Sequence, residues 1–191
     1  MMIKAIKESI LVKESILLDQ LLLNQVKRTI DLIVSSLQSG GKIHFCGNGG
    51  SAADAQHLAA ELSGRFYFDR KPLNAEALHC NTSYLTAVAN DYGYNKVFSR
   101  LLEGIGKKGD VLVALSTSGN SENILVAFEK AKELGITTVA MTGFSGGKMK
   151  DSCDILINVP SSDTPRIQEA HIMLGHIICE QVERIIFGYE E

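Results

Sequence analysis

His57 and Glu61 lie four residues apart, just after the glycine-rich run Gly47-Asn48-Gly49-Gly50-Ser51. On a helix, side chains at that spacing share one face. An imidazole beside a carboxylate suits either metal ligation or acid–base chemistry, and a solvated helical pair has the same spacing. The glycines let backbone N–H groups come close to a ligand at the start of a helix. Ser51 followed three residues on by Asp54 predicts an N-cap pair there. The run G-N-G-G-S-A also fits the dinucleotide fingerprint G-x-G-x-x-A. That fingerprint needs an acid after the next strand to hold a ribose, and this chain has His79-Cys80-Asn81. Dinucleotide binding is therefore not expected, and a plain tight turn is the other reading.

A second candidate loop is Ser116-Thr117-Ser118-Gly119-Asn120-Ser121, with four hydroxyls in six residues between a strand and a helix. Hydroxyls together with helix N-terminal N–H groups make an anion site suited to a phosphate monoester. No Lys lies in the loop, so it is not the nucleotide-binding G-x-x-x-x-G-K-S type. Ser121 alone serves as an N-cap, but capping leaves the other three hydroxyls unexplained. The last helix carries Arg166, Gln168, Glu169, His171, His176 and Glu180. Gln168 and His176 are about 12 Å apart along an ideal axis and ~80° apart around it, so both reach a site over the turn between them. His171 falls on the opposite face or against the core.

These residues need a scaffold. Strands are expected at Lys42–Cys46, Ala75–His79, Val111–Ser116, Thr137–Thr142 and Asp154–Val159. Helices are expected at Ser51–Arg65, near Ser83–Ala89 and Lys96–Glu103, from Ser121 to Leu134, and at Thr164–Phe187. Strands alternating with helices predict a parallel sheet covered on both faces. Ligands then bind beyond the carboxyl ends of the strands, where both candidate loops fall. The first 37 residues lack Gly and Pro, and apolar residues recur at helical spacing: Ile6, Ile10, Leu17, Leu21, Val26, Ile30, Ile33 and Leu37. One long helix, or two with a short break, is expected. A single helix would reach about 50 Å, too long to bury its stripe on its own domain, so assembly with other subunits is expected. Two helices folded onto one core are the alternative. The division expected is a helical arm at 1–38 and one α/β domain at 39–191.

The 191 residues carry 19 Lys and Arg against 22 Asp and Glu, for a net charge of −3, and 45 % are hydrophobic. This is ordinary globular composition, without the basic stripe of a nucleic-acid binder. No apolar run approaches the roughly 18 residues of a membrane span, and the N-terminal residues show no signal-peptide core. The four cysteines, Cys46, Cys80, Cys153 and Cys179, form no CxxC and read as reduced thiols. A cytoplasmic protein with no nucleic-acid or membrane partner is expected.

Five segments, in order, carry a resemblance: CGNGGSAADAQHLAAELSGRF, TAVANDYGYNKVFSR, ALSTSGNSENILVA, TGFSGGKM and TPRIQEAHIMLGHIICEQVE. They resemble the sedoheptulose 7-phosphate (phosphoheptose) isomerases of the sugar isomerase (SIS) domain family, over about residues 40–185. The resemblance implies a flavodoxin-like α/β fold with a five-stranded parallel sheet, and a homotetramer built on the N-terminal helices. It implies conversion of sedoheptulose 7-phosphate to D-glycero-D-manno-heptose 7-phosphate, opening the route to nucleotide-activated heptose for lipopolysaccharide or capsule. It implies one zinc per subunit at His57, Glu61, Gln168 and His176, with Glu61 and His176 as the acid–base pair. Implied sugar-phosphate contacts are Asn48, Gly49, Gly50, Glu61, Asn90, Asp91, Ser116, Thr117, Ser118, Ser121 and Gln168. Family members often have Asp where this chain has Asn81, which bears on a local turn. The same family includes a non-catalytic tetramer that binds the bacterial replication initiator and lacks the equivalents of Glu61 and His176. Another phosphosugar isomerase or a sugar-phosphate-sensing regulator is the further alternative.

Overall fold

A computed structural model describes residues 1–188. Its sheet has five parallel strands: β1 (Ile43–Gly47), β2 (Ala75–Ala77), β3 (Val111–Ser116), β4 (Thr137–Thr142) and β5 (Ile155–Asn158). Their order is β2-β1-β3-β4-β5, with Ile43 opposite Val111 and Val111 opposite Thr137. This is a flavodoxin-like order, the fold that the family resemblance implies, and the order of connection reverses between β1 and β3. The loops leaving these two strands are the glycine loop and the hydroxyl loop, so the topology sets them side by side.

The described residues form seven α-helices, six of them against the sheet or its covering layer: α1 (Met2–Leu18), which lies outside it, α2 (Gln20–Gln38), α3 (Gly50–Ser63), α4 (Thr82–Tyr92), α5 (Val97–Ile105), α6 (Glu122–Leu134) and α7 (Thr164–Phe187). All six residues of β3 are buried, as a continuous apolar run in a doubly covered sheet requires. Alternation along the strand divides them. Val111, Val113 and Leu115 pack with Ile30 and Ile33 of α2, Leu58 and Leu62 of α3, and Leu174 and Ile178 of α7. Leu112 and Ala114 face Phe98 and Leu102 of α5 and Ile124 and Phe128 of α6. Helices α3 and α7, which carry the His and Glu candidates, therefore share one face.

The N-terminal stretch is two helices. They break at Asp19, whose extended backbone ends α1 while its side chain accepts from Leu22 N at 3.0 Å and caps α2. Helix α2 belongs to the core, with Leu22, Val26, Ile30, Ile33 and Val34 buried. Helix α1 buries only Ile16 and rests on α7 through the Arg166 guanidinium, which donates to Ala5 O at 2.9 Å. It leaves Ile3, Ile6, Ile10, Leu11, Leu17 and Leu18 exposed. The expected arm thus divides, and α1 is the part that stands outside the core.

Candidate active site

Helix α3 starts directly from β1. Its N-cap is Gly49, at φ 57° and ψ −123°, with no side-chain cap. This corrects the expected Ser51–Asp54 pair, because a turn this tight brings a glycine to the cap and points Ser51 into the protein, where it is buried. Asp54 instead keeps a buried Oδ2 with no hydrogen-bond partner among the described residues. Burial pushes its pKa up, against the opposing pull of His57 and His176. At Gly50 a Cβ would stand 2.5 Å from Gln168 Nε2, so a larger residue there would displace that carboxamide. The carboxamide of Gln168 therefore lies directly over the start of α3.

About two turns along α3 from Gly50, His57 and Glu61 meet His176 of α7. His57 Nε2 is 3.0 Å from His176 Nε2 and 3.0 Å from Glu61 Oε1. The ligand atoms of all three lie within 4.8 Å of one another. A tetrahedral zinc with N and O donors at about 2.0–2.2 Å sets neighbouring donors roughly 3.3 Å apart. The observed spacings and the N,N,O donor set fit such an ion with little movement. The close approach is made by the residues next in sequence. Gly175 faces Leu58, and a Cβ on Gly175 would stand 2.6 Å from both Leu58 methyls. His171, which the sequence left open, is buried against the core, and its Nε2 lies 3.1 Å from Thr142 O. Burial first, opposed by that carbonyl, lowers its pKa to about 4.

The hydroxyl loop is braced from behind. Gly119 has φ 65°, and a Cβ there would fall 2.1 Å from Gly146 O, so only glycine fits. Met149 N donates to Gly119 O at 3.0 Å, and Gly143 N to Thr117 O at 3.1 Å. The 3-10 turn at Gly147–Asp151 that supplies part of this brace has no counterpart in the sequence reading. Ser121 opens α6 without capping it, and its Oγ pairs with Ser116 Oγ at 2.9 Å. Ser121 O accepts from Ile124 N at 3.0 Å and Leu125 N at 3.1 Å, which leaves the N–H groups of Glu122 and Asn123 without an acceptor among the described residues. Thr117, Ser118 and Asn120 line an open cleft of about 340 Å³, together with Ser145, Ser161 and Thr164.

The glycine loop is tied to this second loop by a side-chain pair absent from the sequence reading. Asn48 Nδ2 donates to Asn123 Oδ1 at 3.0 Å, and Asn123 Nδ2 donates back to Asn48 Oδ1 at 2.9 Å. Tyr94 OH donates to the same Asn48 oxygen at 3.1 Å. The available signal was Asn123 itself, a polar residue at a core-facing position of α6 and almost fully buried. Asn90 and Asp91 are exposed at the end of α4, where Asn90 Nδ2 donates to Asp91 Oδ1 at 2.8 Å. They are not brought into hydrogen bonding with the His57–Glu61–His176 cluster among the described residues. Asn81 caps α4, accepting from Tyr84 N at 3.0 Å, a role an Asp fills equally well.

Residues 15–143 match the model of the SIS domain family. A phosphoheptose isomerase from Clostridium acetobutylicum is 54% identical over 183 residues, covering 96% of this chain and 93% of the relative. The solved phosphoheptose isomerase of Neisseria gonorrhoeae superposes with a TM-score of 0.89 at 43% identity, covering 95% of this chain and 96% of that one. That of Francisella tularensis gives 0.92 at 35% identity, covering 96% of each. With the parallel sheet, its paired loops and the His–Glu–His cluster, these likenesses establish that the chain belongs to the SIS domain family and, within it, to the phosphoheptose isomerases.

Proposed function

We propose that this chain isomerises sedoheptulose 7-phosphate to D-glycero-D-manno-heptose 7-phosphate. The observation that carries the reading is the convergence of His57, Glu61 and His176 in a chain so similar to phosphoheptose isomerases. The reaction removes a proton from C1 of the ketose, passes through an enediol, and returns a proton to C2 as the C1 carbonyl forms. It needs a base, an acid and stabilisation of a developing oxyanion. Glu61 and His176 are the acid–base pair, facing one space from two helices. Ser116, Thr117, Ser118 and Ser121, with the first N–H groups of α6, hold the phosphate. Asn48, Gly49, Gly50 and Gln168 meet the sugar end, and Asn90 and Asp91 contact its hydroxyls.

His57, Glu61, Gln168 and His176 would hold one zinc per subunit, which when bound polarises the sugar oxygens. The N,N,O spacing supports this, as does the position of Gln168 over Gly50. The apolar surface that α1 leaves exposed supports a homotetramer. Among the described residues, no helix is long and apolar enough to cross a membrane. The reading places the enzyme in the cytoplasm, acting on a small molecule without nucleic acid, at the head of a route to activated heptose. The non-catalytic alternative is not favoured, because Glu61 and His176 are both present.

The test is to incubate the protein with sedoheptulose 7-phosphate, with and without a chelator, and follow heptose phosphate. Turnover abolished by chelation and restored by zinc is expected. No turnover with zinc supplied would refute the enzyme reading, and turnover indifferent to exhaustive chelation would refute the metal.

A further inference from the structure

Beyond the cluster itself, a buried ion pair ties the end of α3 to α7. Arg70 and Glu183 are 1% and 0% exposed and meet through Arg70 Nε and Glu183 Oε2 at 2.7 Å. The Glu183 carboxylate also accepts three consecutive backbone N–H groups: Phe66 at 2.9 Å, Tyr67 at 2.7 Å and Phe68 at 3.1 Å. The rest of the Arg70 fork turns to the last carbonyls of α3. It donates to Glu61 O at 2.9 Å, Leu62 O at 2.8 Å and Gly64 O at 2.9 Å. Helix C-terminal carbonyls lack intrahelical partners, and a guanidinium, with five N–H donors in a rigid fork, can hold several at once while still pairing with a carboxylate.

We propose that Arg70 and Glu183 are positioning residues for the isomerase site, setting the last turn of α3 so that Glu61 stands at its working distance from His176. The proposal rests on Glu61 and His176 being the acid–base pair. Two observations lead to it. The carbonyl of Glu61 itself is one of those gripped by Arg70. Phe66, whose N–H is held by Glu183, lays its ring 5.7 Å from the His176 ring. The pair thus acts on both halves of the site: on Glu61 through the α3 backbone, and on His176 through Phe66. The phosphate loop lies on β3 and α6 and is untouched by it.

Arg70→Lys keeps a charge for Glu183 but cannot span the carbonyls. Its kcat is expected to fall about 10–100-fold with KM for the sugar phosphate within about 2-fold, and zinc affinity, read by competition with a chromophoric chelator, to fall about 10-fold or more. Glu183→Gln should show the same pattern more strongly. Wild-type kcat and zinc affinity in a folded Arg70→Lys protein would overturn the proposal, as would a change confined to KM. A third measurement does not depend on either variant folding. In the unaltered protein, the amides of Phe66, Tyr67 and Phe68 should exchange with solvent as slowly as those of the sheet, and exchange at open-loop rates would overturn the proposal. If the unaltered protein does not isomerise the sugar, the functional reading fails by that result alone, while zinc affinity and amide exchange still judge the clamp.

Discussion

The separation of α3 and α7 is set by one missing side chain, and restoring it is the most direct perturbation of the site. In Gly175→Ala the new Cβ would stand 2.6 Å from both Leu58 methyls and 3.1 Å from Leu58 Cγ. Carbon atoms in ordinary contact sit about 3.5–4.0 Å apart, so roughly 1 Å must be found. Leu58 is 1% exposed and has no solvent to move into. The helices must part or the core must distort, at about 1–3 kcal/mol. Alanine returns about 1 kcal/mol of helix propensity, leaving a net loss of about 0–2 kcal/mol. A chain of this size then melts up to about 8 °C lower. Function should suffer more than stability. Leu58 follows His57 and Gly175 precedes His176, so the same 1 Å opens the 3.0 Å imidazole contact directly. A displacement of that size is expected to lower kcat about 100-fold. The assay is turnover of sedoheptulose 7-phosphate alongside a thermal melt. Adding Leu58→Ala should recover much of the lost kcat while remaining destabilised by the cavity it creates. A Gly175→Ala protein with unaltered turnover and a raised melting temperature would refute the reasoning, because propensity alone would then account for the change.

Glu61→Gln and His176→Gln should each lower turnover by orders of magnitude while size-exclusion chromatography shows an unchanged assembly; near-normal rates in either would remove it from the acid–base pair. Ser118→Ala combined with Ser121→Ala removes two hydroxyls from the phosphate loop. KM should rise about 10–100-fold with kcat little altered, and an unchanged KM would place the phosphate elsewhere. His171 gives a pH dependence of fixed sign. Its pKa is about 4 in the folded protein against the ordinary 6.5, so the unfolded chain binds the extra proton first. Its stabilising contribution is complete above pH 6.5 and is lost as pH falls towards 4, by up to about 3 kcal/mol. His44, also lowered by burial against the pull of Asp110, adds to the same slope. Urea midpoints between pH 7.5 and 4.5 measure this, and a slope unchanged in His171→Gln would assign it to other groups.

Much of this was legible in the sequence because local chemistry was enough to reveal it. Val111–Ser116 reads as a buried strand because its apolar run is unbroken, and the hydroxyl and glycine loops announce themselves by composition. The break between α1 and α2 was only half visible. No Gly or Pro marks it, and a single Asp19 acts as stop and cap together. The Ser51–Asp54 expectation failed because capping statistics assume an extended residue before the helix, and β1 leaves too little chain for one. Arg70 and Glu183 stand 113 residues apart and meet only after the sheet is assembled, so no local pattern betrays them. Asn48 and Asn123 are likewise joined by topology, across 75 residues.

That last pair determines what the glycine loop can say to a ligand. An amide oxygen has two lone pairs, and both on Asn48 are taken, one by Asn123 and one by Tyr94. Of its two amide hydrogens, one is spent on Asn123 and one remains. Asn48 therefore speaks with a single voice, as a donor. It welcomes an oxygen that carries no proton, such as a carbonyl, an enolate or a phosphoryl oxygen, and offers nothing to a hydroxyl hydrogen. A residue that looks ambidextrous in the sequence has been made one-handed by its neighbours, and the hand it keeps is the one that steadies negative charge.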